Sequence, residues 1–294
     1  MLYSLPYPLS IGVKKLTIPG GVILPRVHIN NFAVDYTECG QGMPIIFIPG
    51  ITEYKEAFTF QFGGLRDSYR VISYDLRRGL KRSSDYTLNL LVDDLHLFLK
   101  ALGLTSAVIC GHSFGGLVAM RFALTYPEQT RALVLASSFP SLPEKVSAEH
   151  FLNTISSIDD PLRTSFATRF RVLMDRLFRK GTTGALAMEH QVEAVLTVAR
   201  EAMKTSKTTI TQRLNIIKTT DLRPALPQIT APTLVVAGAN DNAFFLSSAQ
   251  EMYLRMQDAT LEVIEGAGHF CFLTRHDQFN LAVDEFLTDR LGEI

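Results

Sequence analysis

Cysteine is scarce in this 294-residue chain, net charge is absent, and no apolar run is long. The three cysteines, Cys39, Cys110 and Cys271, are odd in number, far apart and without C-x-x-C spacing, so they support neither a disulfide framework nor a zinc site. Twenty-nine Lys+Arg balance twenty-nine Asp+Glu, and the whole-chain charge therefore lacks the footprint of a nucleic-acid binder. No stretch approaches the ~18 consecutive apolar residues that span a bilayer. The first ten residues carry no basic region, and Pro6, Pro8 and Gly12 interrupt any apolar one, so no secretory signal is expected and the location read from the sequence is cytoplasmic. At 47% hydrophobic and 20% charged, the composition is that of a globular chain.

What is present is an alternation of short apolar runs with segments of helical spacing, the pattern of a mostly parallel sheet flanked by helices. Strands are predicted at Pro44 to Ile48, Arg70 to Tyr74, Ala107 to Cys110, Ala132 to Leu135, Thr233 to Val236 and Leu261 to Ile264, each rich in β-branched residues and bounded by Gly, Pro, Asp or Ser. An antiparallel strand is predicted over Val27 to Tyr36, ahead of a turn at Gly40-Gln41-Gly42. Leu88, Leu91, Val92, Leu95, Leu99 and Leu102 form one helical stripe that Gly103 ends, and Phe279, Val283 and Phe286 pattern the last helix.

The alternation breaks after Ser138. Prolines at 140, 143 and 161 open, and prolines at 224, 227 and 232 close, a stretch without good strands, which divides the chain into a core of 1–140 and 221–294 and a helical cap inserted at 141–220. Within the cap, 163–180 holds Arg163, Arg169, Arg171, Arg176, Arg179 and Lys180 against the single acid Asp175. Such a run reads either as a solvated helical face or as a docking patch for an acidic carrier protein or an anionic substrate.

The chemistry is carried by Gly111-His112-Ser113-Phe114-Gly115-Gly116, directly after a predicted strand and before a helical run. This is G-x-S-x-G in a strand–turn–helix context: a serine lifted onto a sharp turn needs small residues two positions to either side. A serine hydroxyl needs a base to take its proton and an acid to orient that base. Asp241, just past the strand ending near Val236, is the candidate acid, and His269, in the glycine-rich loop Glu265 to His269 after the last strand, the candidate base. The competing readings are an Asx-turn aspartate and a surface-loop histidine. A tetrahedral intermediate also needs backbone N–H donors, for which Phe114 and Ile51, the latter in the loop Pro49 to Thr52, are the candidates. The remaining histidines, His112 among them, are assigned structural or surface roles.

With these motifs in order, the chain resembles the cap-bearing serine esterases of the α/β-hydrolase superfamily, over about residues 27–140 and 225–290. Where that family usually has His-Gly in the oxyanion loop, this chain has Pro49-Gly50, and the family's Asp-x-Arg-Gly-x-Gly-x-Ser corresponds to Asp75-Leu76-Arg77-Arg78-Gly79-Leu80-Lys81-Arg82-Ser83. The serine at 113 sets it apart from similar folds with an aspartate nucleophile. The resemblance implies the α/β-hydrolase fold and cleavage of a small-molecule carboxylic ester by Ser113, His269 and Asp241, with no cofactor and no metal. Reactions open to the same triad are C–C bond hydrolysis and perhydrolysis, and a slow-turnover ligand receptor is the reading from another class.

Overall fold

The computed structural model describes residues 25–142 and 205–292 in full, and the backbone of 17–18 and 22–23. Ten strands form one sheet: β1 (Thr17–Ile18), β2 (Val22–Ile23), β3 (Arg26–Ile29), β4 (Phe32–Cys39), β5 (Met43–Ile48), β6 (Tyr69–Tyr74), β7 (Ala107–His112), β8 (Thr130–Ala136), β9 (Thr233–Gly238) and β10 (Ala259–Ile264). The order is β1-β2-β4-β6-β5-β7-β8-β9-β10, with β3 paired to β4. From β6 through β10 neighbouring strands are parallel, and β4 closes that set antiparallel to β6. The helices between them are α1 (Thr59–Leu65), α2 (Leu88–Ala101), α3 (Phe114–Thr125), α4 (Lys207–Thr219), α5 (Ala243–Arg255), α6 (Cys271–Thr274) and α7 (His276–Leu291).

The continuous apolar runs of the central strands follow from burial on both faces. Successive side chains point to opposite sides, so Ile46 and Ile48 of β5, Ile109 of β7 and Leu133 and Leu135 of β8 enter one core, together with α2, α3 and α5. Ile45, Phe47, Val108, Cys110, Ala132 and Val134 enter the other, against α1, α6 and α7. The leucine stripe of α2 is buried through Leu99; Thr87 caps the helix by accepting the Leu90 N–H, and Gly103 at φ 70° turns the chain out of it.

Two readings change. The segment Val27 to Tyr36 is a hairpin, β3 and β4, joined at Asn30-Asn31, where both residues take positive φ (45° and 56°). That is the twist-matched two-residue turn, and asparagine enters this region more readily than other non-glycine residues. Of the segment expected as a helical cap, α4 and its flanks are described; 143–204, with the basic stretch 163–180, lies outside the described residues.

The helix α4 is latched to the loop after β6. Thr209 Oγ1 accepts the Gly79 N–H at 2.8 Å, while Gln212 accepts the Leu80 N–H at 2.9 Å and donates to the Leu80 carbonyl at 2.7 Å. A Cβ on Gly79 would lie 2.9 Å from the Thr209 nitrogen, so the glycine permits this approach. Below it, Arg77 and Asp94 form a buried bidentate ion pair with both contacts at 2.6 Å.

Candidate active site

Because β5, β7, β9 and β10 are parallel and in register, with Ile48 beside Gly111 and Gly238 beside Ile264, the loops that follow them leave one edge of the sheet. In open parallel sheets that edge is where chemistry gathers. Ser113 stands there between β7 and α3 at φ 51°, ψ −115°, a backbone conformation that costs ~1–3 kcal/mol and persists only when its surroundings hold it. Three hydrogen bonds do so: the Ser113 N–H donates to Ala136 at 3.0 Å, and its carbonyl accepts from the Gly116 N–H at 3.0 Å and the Ser138 hydroxyl at 2.9 Å. A Cβ on Gly111 would overlap the backbone of Gly115, and one on Gly115 would overlap the Ile48 carbonyl, so the elbow closes only with glycine at both positions.

Asp241 follows β9 and His269 follows β10. The carboxylate Oδ2 of Asp241 lies 3.0 Å from Nδ1 of His269, and its Oδ1 accepts the Asn242 N–H at 2.7 Å. The Asp241 side chain is buried, whereas that of His269 is 21% exposed and rests on the Phe245 ring with centroids 4.1 Å apart. The Nε2 edge of His269 and the Ser113 hydroxyl have no hydrogen-bond partner among the described residues, and no bond joins the two.

Phe114 follows Ser113 directly, and the loop that carries Ile51 leaves β5 where the Ile48 and Pro49 carbonyls lie beside Gly115. Phe114 opens α3, where the first N–H groups have no partner within the helix. In the loop after β5, the Gly50 N–H donates to Glu53 at 2.9 Å, and the Ile51 carbonyl accepts from Arg213 at 2.7 Å. The Ile51 N–H has no partner among the described residues.

The cysteines are poor competitors for a nucleophile's role. Burial pushes the Cys110 thiol far up and the Cys271 thiol up to about 12, which keeps both protonated. Among the described residues no group of three or more His, Cys, Asp or Glu side chains could hold a metal ion, and no helix is long and apolar enough to cross a membrane.

The family described as alpha/beta hydrolase fold matches residues 43–276. The chain belongs to that α/β-hydrolase family. It is 30% identical over 287 residues to polyketide synthase ThaQ of Burkholderia thailandensis, covering 96% of this chain and spanning only 13% of that protein. It is 26% identical to 3-oxoadipate enol-lactonase 2 of Acinetobacter baylyi, covering 86% of this chain and 92% of the relative. The crystal structure of the enol-lactonase from Burkholderia xenovorans LB400 superposes with a TM-score of 0.74 at 22% identity, covering 90% of this chain and all of that one, and shares the fold. The family and its hydrolase relatives support a general hydrolase activity.

In this hydrolase, a second histidine–carboxylate pair escaped the sequence reading. His112 is wholly buried, with Nδ1 2.9 Å from Oε1 and 3.0 Å from Oε2 of Glu53 and Nε2 3.0 Å from the backbone carbonyl of His269. A surface role for His112 is therefore excluded. Burial by itself would raise the Glu53 carboxyl, but the facing His112 imidazole and the Gly50 N–H outweigh it and hold that carboxyl below the usual carboxylate range. A carbonyl only accepts, so Nε2 of His112 carries a hydrogen, and its Nδ1 edge is taken up by the Glu53 carboxyl. With both nitrogens engaged, His112 has no open ring edge to offer a substrate. The available signal was a carboxylate three positions after Gly50 in an otherwise uncharged loop.

Proposed function

We propose that the chain is a serine hydrolase that cleaves a carboxylic ester through an acyl-enzyme, with Ser113 as nucleophile, His269 as base and Asp241 as orienting acid. The observation that carries this reading is the 3.0 Å Asp241–His269 pair, on the same sheet edge as a serine held in a strained elbow. The Asp241 carboxylate accepts Nδ1–H of His269, which leaves Nε2 as the nitrogen that takes the Ser113 proton while Oγ attacks the ester carbonyl carbon. The oxygen that becomes negative is received by the N–H groups of Phe114 and Ile51. Collapse of the intermediate expels the alcohol with the proton from His269, and water deprotonated by the same nitrogen then releases the acid. Catalytic serine–histidine hydrogen bonds commonly tighten only around substrate, so this reading does not require one between Ser113 and His269 beforehand.

The core of this reading is 1–140 and 221–294, with the acyl or alcohol part of the substrate lying under a cap at 141–220. The basic stretch 163–180 supports an acyl group presented on an acidic carrier as one form of substrate, and the likeness to part of a polyketide synthase fits that class. The test is fluorophosphonate labelling with mapping of the adduct. It is run beside a panel of p-nitrophenyl esters of increasing chain length and an acyl group on an acidic carrier protein, with Ser113→Ala as control. One adduct on Ser113 and repeated turnover of at least one ester are expected. An adduct elsewhere, or a single slow turnover, overturns the proposal.

A further inference from the structure

Arg213, on α4, is 3% exposed, yet among the described residues no carboxylate pairs with it. Its guanidinium is spent on neutral oxygens. Nη1 donates to the Ile51 carbonyl at 2.7 Å and reaches the Gly50 carbonyl at 3.5 Å, Nη2 donates to the Arg77 carbonyl at 3.3 Å, and Nε donates to the Tyr86 hydroxyl at 3.2 Å. The charge sits 5.8 Å from the centroid of the Phe114 ring, under the residue that follows the nucleophile. Burying an Arg is costly unless its donors are met; here Nη1 meets two carbonyls of one short loop, while Nη2 and Nε meet the Arg77 carbonyl and the Tyr86 hydroxyl.

That convergence decides which way the loop's peptides face. The Gly50 carbonyl and the Ile51 N–H belong to one peptide unit, and no peptide bond in the described chain is cis, so the two point in opposite directions. Drawing the Gly50 and Ile51 carbonyls toward α4 turns the Ile51 N–H away from it. Glu53 meanwhile takes the Gly50 N–H, so the one backbone donor of Gly50 and Ile51 left without a partner is that of Ile51. A flip of the Gly50–Ile51 peptide would present a carbonyl where an anion needs a donor. Against the flip stands the Arg213 contact with the Gly50 carbonyl, because a flipped unit would leave a buried guanidinium facing an N–H, while the 2.7 Å bond to the Ile51 carbonyl anchors the adjoining peptide unit.

We infer that Arg213 is the positioning residue of the oxyanion loop, fixing the Ile51 N–H as a donor from a helix more than 160 residues further along the chain. This rests on the serine-hydrolase reading above. It also gives α4 a second role, since the face that latches Gly79 and Leu80 through Thr209 and Gln212 carries the loop clamp one residue further on. The fork matters as well as the charge, because a lysine ammonium cannot hold the Ile51, Gly50 and Arg77 carbonyls together.

The test uses the full chain with Arg213→Lys and Arg213→Met, and compares two readouts beside the melting temperature. One is the kcat and KM for a p-nitrophenyl ester. The other is inhibition by an alkyl trifluoromethyl ketone, to whose carbonyl carbon the Ser113 oxygen bonds while the hydroxyl proton passes to His269 and the former carbonyl oxygen becomes the anion. Loss of a donor oriented for that anion lowers kcat and ketone affinity together, on the order of 100-fold, with KM little changed. Arg213→Lys decides the matter if Arg213→Met does not fold. Unaltered kcat and ketone affinity in folded Arg213→Lys, or a loss confined to melting temperature or KM, overturns the inference. Failure of the wild-type protein to bind the ketone would instead remove the serine-hydrolase reading, and this inference with it.

Discussion

Two histidine–carboxylate pairs, His269–Asp241 and His112–Glu53, lie with their imidazole rings 4.9 Å apart, and almost everything about them differs except the residue types. In the first, one nitrogen is held by a carboxylate and the other is free at a partly exposed edge. In the second, both nitrogens are engaged in full burial, one by Glu53 and one by the backbone of His269 itself. A base needs a lone pair and access. The first pair offers an open, accessible ring nitrogen and the second offers none, so the second serves the first by anchoring the His269 loop and, through Glu53, the Gly50 N–H. Residue type names a candidate; hydrogen-bond stoichiometry around it decides between chemistry and support.

The comparison breaks most visibly if the accessible pair is disabled. Ser113→Ala and His269→Ala should each lower ester hydrolysis on the order of a millionfold, and the double variant should be little worse, because the groups act as one unit. Asp241→Asn should retain more activity, losing roughly ten-thousandfold, since serine and base remain. Steady-state rates on the best ester, with circular dichroism to show the fold intact, check this. An Asp241→Asn protein as active as wild type would remove Asp241 from the mechanism.

What the sequence alone made legible follows the same division between types and partners. Strands β5 to β9 were readable because burial leaves apolar runs, β10, a partly exposed edge strand, from its β-branched residues between turn signals, and the elbow because Gly111 and Gly115 are demanded by backbone contacts that no other residue tolerates. The β3–β4 hairpin was missed because Asn30-Asn31 lacks the glycine that ordinarily marks such a turn. Arg213 was invisible for a different reason. Its acceptors are backbone carbonyls far away in the chain, and nothing in the identity of Gly50 or Ile51 records that their oxygens are taken. Side-chain partners leave a trace in composition, whereas partners that are backbone atoms leave none.

The buried pair should show the opposite balance, a large effect on folding. Removing one partner of a buried, hydrogen-bonded pair strands the polar atoms of the other, at a cost of about 1–3 kcal/mol. Glu53→Ala and His112→Ala should each lose stability of that order in denaturant titrations, while Asp241→Asn, which keeps an acceptor for Nδ1–H of His269, should lose far less. Activity per folded molecule should fall by a smaller factor in the Glu53 and His112 variants than in Ser113→Ala. If either alanine variant matched wild type in stability, the hydrogen bonds around His112 would be incidental.

The smallest effect is the most specific to the charge on Glu53. Its carboxyl is held below the usual range in the folded protein, so the stability it contributes is fully present above its unfolded value of about 4.3 and fades as pH falls through the lower folded value. Glu53→Gln is nearly isosteric, and its amide can still accept the Gly50 N–H and meet the His112 ring, but it has no proton to gain. The variant therefore carries every other acid-induced loss of the wild-type protein without this one. Unfolding free energies of the two proteins, measured from pH 7 downward, should keep a constant gap to about pH 4.3 and converge below it. If the wild-type protein instead gained stability relative to Glu53→Gln between pH 7 and about pH 4.3, Glu53 would be protonated in the native state at neutral pH. In that case its carboxyl would donate to Nδ1 of a neutral His112, and the contrast between the two histidines would rest on burial and on the engagement of both His112 nitrogens, with no charge on Glu53.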